Sequence, residues 1–96
     1  MVGSVVLLSR FFGSDLRVLV LDFFLTHREL DFGVTDVAED VGCSRQSLYK
    51  IFDALLADGL IVKSRVLGNK SFYKINSEDP EVVLLMGFFD KVLMND

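Results

Sequence analysis

The chain has 96 residues, 51% hydrophobic and 25% charged, which suits one domain and is too short for two independent cores. This composition excludes a disordered tail, and a single proline without a repeat period excludes collagen-like and solenoid architectures. The formal charge of −4 taken alone argues against a nucleic-acid partner.

In chain order, Val5 to Phe12 reads as a short helix, apolar on nearly every face and stopped by Gly13. Ser14-Asp15 offers an N-cap and a first-turn acid to a second helix. Its Leu16, Leu19, Val20, Phe23 and Phe24 form one wide inward stripe ending near Thr26-His27. Leu30 to Gly33 is too short for a helix and suits a small edge strand. Thr35 can cap a short third helix with Val37, Ala38 and Val41 inward, ended by Gly42. Ser44 caps a fourth, with Leu48, Ile51, Phe52 and Leu55 inward and Arg45, Gln46, Tyr49, Lys50 and Asp53 outward; Gly59 ends it. Leu60 to Val66 and Ser71 to Ile75 read as strands, and Gly68-Asn69 between them suits the positive φ angles of a tight hairpin turn. Asp79-Pro80 opens a last helix through Val82, Leu85, Met86, Phe89, Val92 and Leu93. The expected order is α-α-(β)-α-α-β-β-α, a mainly helical α+β fold in a single domain over residues 1–96.

Charges interrupt every apolar stretch short of the ~18 residues that a membrane span requires. Met1 to Ser9 lacks the basic region and cleavage site of a signal peptide. The lone Cys43 cannot form an internal disulfide, which fits a reducing compartment. The expectation is a soluble, cytoplasmic protein with no membrane partner. A mean hydropathy of +0.43 is high for so small a domain. The apolar, multi-sided helices at residues 1–12 and 79–96 therefore point to a homodimer interface, formed by Val5, Leu8, Phe11, Phe12, Val82, Leu85, Met86, Phe89, Val92 and Leu93.

The charge is strongly polarised. Between Cys43 and Lys74 six basic residues stand against two acids, while the rest of the chain holds four basic and twelve acidic residues. Local charge within a Debye length of ~8 Å governs attraction to phosphate, so this asymmetry outweighs the total.

Two short helices joined by a glycine turn, followed by a basic hairpin, are the parts of a winged helix-turn-helix. A helix seated in the ~12 Å major groove needs a small cap, hydrogen-bonding side chains on its first turns and an apolar back. Residues Ser44 to Ile51 supply these in order. The stretch from Thr35 to Lys50 resembles the helix-turn-helix signature of winged-helix transcription regulators of the MarR and ArsR type. Ala38 stands at the small-residue position, Gly42 at the turn, and Leu48 and Ile51 at the buried positions. Leu55 to Ile61 resembles the family's junction into the wing, Ser71 to Ile75 its returning strand, and Gly13 to Leu19 the opening of its first core helix.

The resemblance implies a winged helix with extra N- and C-terminal dimerisation helices. It also implies a homodimer that places a recognition helix, residues 44–58, in successive major grooves of double-stranded DNA. The wing, residues 60–75, would meet the backbone or minor groove. The expected DNA-binding residues are Thr35, Ser44, Arg45, Gln46, Ser47, Tyr49, Lys50, Lys63, Arg65, Asn69 and Lys70. Ser44 doubles as a plain cap, and strand alternation leaves the direction of Lys74 open.

No nucleophile–base arrangement, phosphate loop or metal-ligand spacing is present, so neither an enzyme nor a cofactor is expected. The paired cysteines and histidines of metal-sensing relatives are missing, and no effector is named by the sequence. Cys43 suits a small apolar position as well as a redox switch, and His27 suits a helix C-terminus. Two other functions remain open: a winged-helix module that binds a protein, and a sequence-neutral DNA-coating protein.

Overall fold

Three helix ends are set by side chains that satisfy otherwise orphaned backbone donors. The structure, a computed structural model, describes residues 15–95. Helix α1, Leu16–Thr26, begins where Asp15 accepts the Val18 N–H at 3.1 Å. Helix α2, Val34–Val41, is joined through Gly42 to helix α3, Arg45–Ala57, where Ser44 Oγ accepts the Ser47 N–H at 3.2 Å. Strands β1, Ile61–Leu67, and β2, Lys70–Ile75, form an antiparallel hairpin. Helix α4, Pro80–Asn95, starts from Asp79, whose Oδ1 accepts the N–H groups of Glu81 and Val82 at 2.9 and 3.2 Å. The described part of the chain is thus a mainly helical α+β fold of four helices and one two-stranded sheet.

Three expectations at helix ends and turns need correction. Asp15, expected as an acid of the first turn, is itself the N-cap of α1, and that turn holds no acid. Thr35 does not cap α2. The cap is Gly33, whose N–H donates to Asp36 Oδ2 at 2.9 Å, and Thr35 lies inside the first turn. Gly33 is itself constrained, because a Cβ there would stand 2.8 Å from Lys70 Cε. The hairpin turn uses positive φ only at Gly68, at 60°, and not at Asn69. That is the pattern of a type II′ turn, which needs glycine at its first central residue alone. Gly42 has φ 83°, a left-handed cap that lets the chain turn directly from α2 into α3.

The core takes residues from every element, and α1 is buried on nearly every side of its second half. Val20, Phe23, Phe24 and Leu25 of α1 meet Val37 and Ala38 of α2, Leu48, Phe52 and Leu55 of α3, and Ile61 and Ile75 of the hairpin. Leu25, outside the expected stripe, is fully buried, while Leu19 is half-buried. Phe52 lies near the middle, its ring centroid 5.8 Å from that of Phe24 and 5.1 Å from that of Tyr73, both edge-on. Beside it Phe23 packs edge-on to Phe32 at 4.7 Å, with the His27 ring 4.9 Å from Phe23. The short segment before α2 makes a single bridge rather than a strand. Phe32 and Tyr73 exchange two 2.8 Å backbone hydrogen bonds on the edge of β2 away from β1.

Long-range polar ties hold the elements in place. Arg17 pairs with Asp58 at 2.7 Å, joining α1 to the end of α3, and Arg28 pairs with Asp90 at 2.8 Å, joining the turn after α1 to α4. Asn76 donates through Nδ2 to the Gly59 carbonyl at 2.8 Å, bringing the exit of β2 back to the end of α3. Asp22 is a fully buried acid on α1, where the sequence pattern marks no inward polar position. Phe52→Ala should cost about 3–5 kcal/mol of unfolding free energy, since both edge-on contacts and the packing under α3 disappear. Urea denaturation checks this, and a loss below about 1 kcal/mol would place the centre of the core elsewhere.

Candidate nucleic-acid interface

The inner face of α3 is held by Leu48, Phe52 and Leu55, with Ile51 packed beside them, so the other side of its first turns is left facing outward. Arg45, Gln46, Ser47, Tyr49 and Lys50 are all exposed there, as is Ser44 at the cap. The Ser44 and Ser47 hydroxyls lie 2.9 Å apart, so the cap is a small hydroxyl pair at the start of the helix. Ser44 therefore has the capping role and remains open to solvent.

Between this helix and the hairpin tip runs an open cleft of about 470 Å³. It brings together five of the residues marked in the sequence: Thr35 at the start of α2, Arg45 and Tyr49 on α3, and Asn69 and Lys70 at the tip. Val34, Leu67, Ser71 and Tyr73 complete its lining. Of the remaining candidates, Gln46, Ser47 and Lys50 lie on the same exposed helix face, and Lys63 is exposed on β1. Lys74 is half-buried. The cleft offers two cations, hydroxyls and an amide, a donor set suited to phosphate oxygens.

The hairpin does not present its basic residues as one row. Lys63 pairs with Tyr73 and Arg65 with Phe72, with a β-bulge at the intervening Ser64. Tyr73 and Phe72 are neighbours on β2 and point to opposite faces, so the bulge parts Lys63 from Arg65. Arg65 meets Asp31, with Nε 2.8 Å from Oδ2, and its guanidinium lies 4.6 Å from the centre of the Phe72 ring. Ser64 donates to the same carboxylate at 2.6 Å. Lys70 also has local partners, with Asp36 Oδ2 4.0 Å from Nζ and the Phe72 ring centre at 5.2 Å. Asp31, Asp36, Ser64 and Phe72 carry no signal of this role in the sequence, because cross-strand partners depend on register and on a bulge that no local motif announces.

The dimer candidates divide in a different way. Val5, Leu8, Phe11 and Phe12 lie outside the described residues. Val82 and Phe89 are buried within the chain itself, and Leu85, Met86 and Val92 pack against its core. Only Leu93 of the α4 set is exposed; the other apolar residues on the outside of that helix are Val83, Leu84, Phe88 and Met94. The regular stripe in α4 is the side that its own domain claims first.

Cys43 is half-buried against the core. Among the described residues no group of His, Cys, Asp and Glu could hold a metal ion, and no helix is long and apolar enough to cross a membrane. No family model, no curated protein and no solved structure matches this chain.

The Ser64 hydroxyl, followed by the Arg65 guanidinium, holds the Asp31 carboxyl below its ordinary value of 3.8, against the opposing effect of partial burial. A depressed folded-state value means the stabilisation is complete above the ordinary carboxylate range and is lost as pH falls through the folded-state value. Ser64→Ala should raise the Asp31 value and weaken the acid-side loss of stability. Carboxyl-detected NMR titration of both proteins checks this; equal values would remove Ser64 as the cause.

Proposed function

We propose that this chain is a winged helix-turn-helix protein that binds double-stranded DNA sequence-specifically, as a homodimeric transcription regulator. Helix α3 is its recognition helix and the β1–β2 hairpin its wing. The observation that carries this is the cleft, where the exposed first turns of α3 and the hairpin tip bring Arg45 and Lys70 to one place. A duplex with α3 in its major groove would run a phosphate strand along this cleft, since the two elements flank it. The order of α2, glycine turn, α3 and hairpin agrees with this, as does the single Phe32 bridge on the outer edge of β2. Affinity comes from phosphate contacts by Lys70, Arg45 and Lys63, and base choice from Gln46 and its neighbours on the first turns.

The outer face of α4 supports the dimer. Leu84 is 75% exposed, beside the exposed Val83 and Met94. Gly87 lies among them, in the middle of the helix, where it costs about 1 kcal/mol relative to alanine. A Cβ at Gly87 would meet nothing within 4 Å in its own chain, so the described chain offers no steric reason for it. Close approach by the same helix of a second copy supplies such a reason.

Fluorescence anisotropy with random duplex DNA at several salt concentrations is the first test. Micromolar binding that falls steeply with salt is expected. Lys70→Ala should weaken binding to all sequences and reduce the log–log salt slope by about one. Gln46→Ala should instead narrow the difference between a selected site and random DNA; equal losses on both would remove Gln46 from base readout. Absence of binding at low salt would favour a protein-interaction module. Leu84→Glu should shift the chain from dimer to monomer in sedimentation equilibrium without loss of helicity. A wild-type monomer at tens of micromolar would overturn the dimer.

A further inference from the structure

Arg65 carries a charge that a DNA-binding hairpin could direct at phosphate, and the fold commits it elsewhere. We propose that Asp31, Ser64 and Arg65 form a clasp that sets the angle of the hairpin against the helical body. Arg65 then serves DNA binding as a positioning residue and not as a phosphate ligand. This rests on the DNA-binding reading and names residues that control its geometry.

Asp31 directly precedes Phe32, whose backbone is bonded to Tyr73 on one edge of β2, while Ser64 and Arg65 belong to β1 on the other edge. The clasp therefore crosses β2. The bulge at Ser64 lets two consecutive side chains of β1 reach one carboxylate, which plain strand alternation would prevent. Ser64 Oγ is 2.6 Å from Asp31 Oδ2, and Arg65 approaches both oxygens, at 2.8 Å through Nε and 3.4 Å through Nη2. The guanidinium rests over Phe72 at 4.6 Å. An isolated surface ion pair contributes little. Here the fork, the stacked ring and the second donor fix both partners, and the Asp31 side chain is only 20% exposed.

Strand β1 needs such a tie, since the backbone bonds to Phe32 hold β2 alone. Ile61 and Ile75 anchor its base in the core, but every β1 residue from Val62 to Leu67 is exposed. A two-stranded hairpin is marginal by itself. Leu67 stands six residues beyond Ile61, roughly 20 Å along the strand, so a small change of angle at the base carries the tip several ångströms. Lys70 and Asn69 ride on that tip.

The test uses the full chain with random duplex DNA and reads both affinity and salt slope. Asp31→Asn removes a negative charge beside the hairpin, so it would tighten binding if Arg65 were a phosphate ligand waiting to be freed. A clasp predicts the opposite, a loss of about tenfold with the salt slope unchanged, equivalent to one charge-assisted hydrogen bond. Arg65→Lys keeps the charge and loses the fork and the stacking; it should show a loss of similar size, whereas a phosphate contact would survive it. Tighter binding by Asp31→Asn, or full affinity in Arg65→Lys, would overturn the proposal. A DNA-free reading separates this from the function. The Gly68 and Asn69 amides should lose order in ¹⁵N relaxation when Asp31 is replaced by Asn, and unchanged order would overturn the clasp even if DNA binds. If the wild type binds no DNA, the functional reading fails and the relaxation data still judge the clasp. Should Asp31→Asn not fold, Ser64→Ala replaces it, with a smaller loss of tip order expected and no loss counting against the clasp.

Discussion

The burial of Leu48, Phe52 and Leu55 beneath α3 is the constraint on which the rest of the structure depends. These side chains close the core between α1, α2 and the hairpin, with Phe52 touching both Phe24 and Tyr73. A helix locked along one face has no rotational freedom left, so the residues between the buried positions are presented outward at fixed angles. The polar face of α3 is thus oriented by apolar packing. A polar surface aimed in this way loses little conformational freedom on meeting a partner.

Charge is distributed by a second logic. A chain with net charge −4 can still offer a cationic surface if its acids are placed apart or paired. Asp58 and Asp90 pair with Arg17 and Arg28 at helix junctions, away from the cleft, and so act as braces between elements. Asp31 and Asp36 instead stand close to the hairpin cations. Asp36 both caps α2 through Gly33 and faces Lys70, so the start of α2 and the tip of the hairpin share one carboxylate. Basic residues that look equivalent along the chain are therefore unequal in space: Lys63 is exposed, Lys70 lines the cleft, and Arg65 is fastened to Asp31.

Most of the elements were legible in the sequence because their signals are local. The caps at Ser44 and Asp79 satisfy backbone donors one turn away, as does Asp15 one position from where the pattern sets the cap, and the glycines after α2, after α3 and in the hairpin turn act within a few bonds. The inward residues of α3 follow from a 3–4 spacing that any amphipathic helix must show. The cap of α2 departs from the local pattern. Thr35 has the chemistry of a cap, but Asp36 reaches back to Gly33, and Gly33 lies under the Lys70 side chain, a neighbour distant in sequence.

By itself, then, the sequence determined the order of helices and strands within residues 15–95 (the helix expected at Val5 to Phe12 lies outside the described residues), the polar outer face of α3 and the site of the hairpin turn, all governed by contacts within about one helical turn or one tight loop. Only the tertiary structure decided the pairings across the hairpin. Strand register is set by the packing of both strands against the body, and a single bulged residue at Ser64 reverses which face the next side chain takes. That reversal parts Arg65 from Lys63 and brings it to Asp31. It was equally the tertiary structure that decided what covers the stripe of α4: Val82 and Phe89 are taken by the chain's own core, where the sequence pattern points to a second copy. Both outcomes depend on what lies opposite a residue in space, and periodicity along one chain carries no such information.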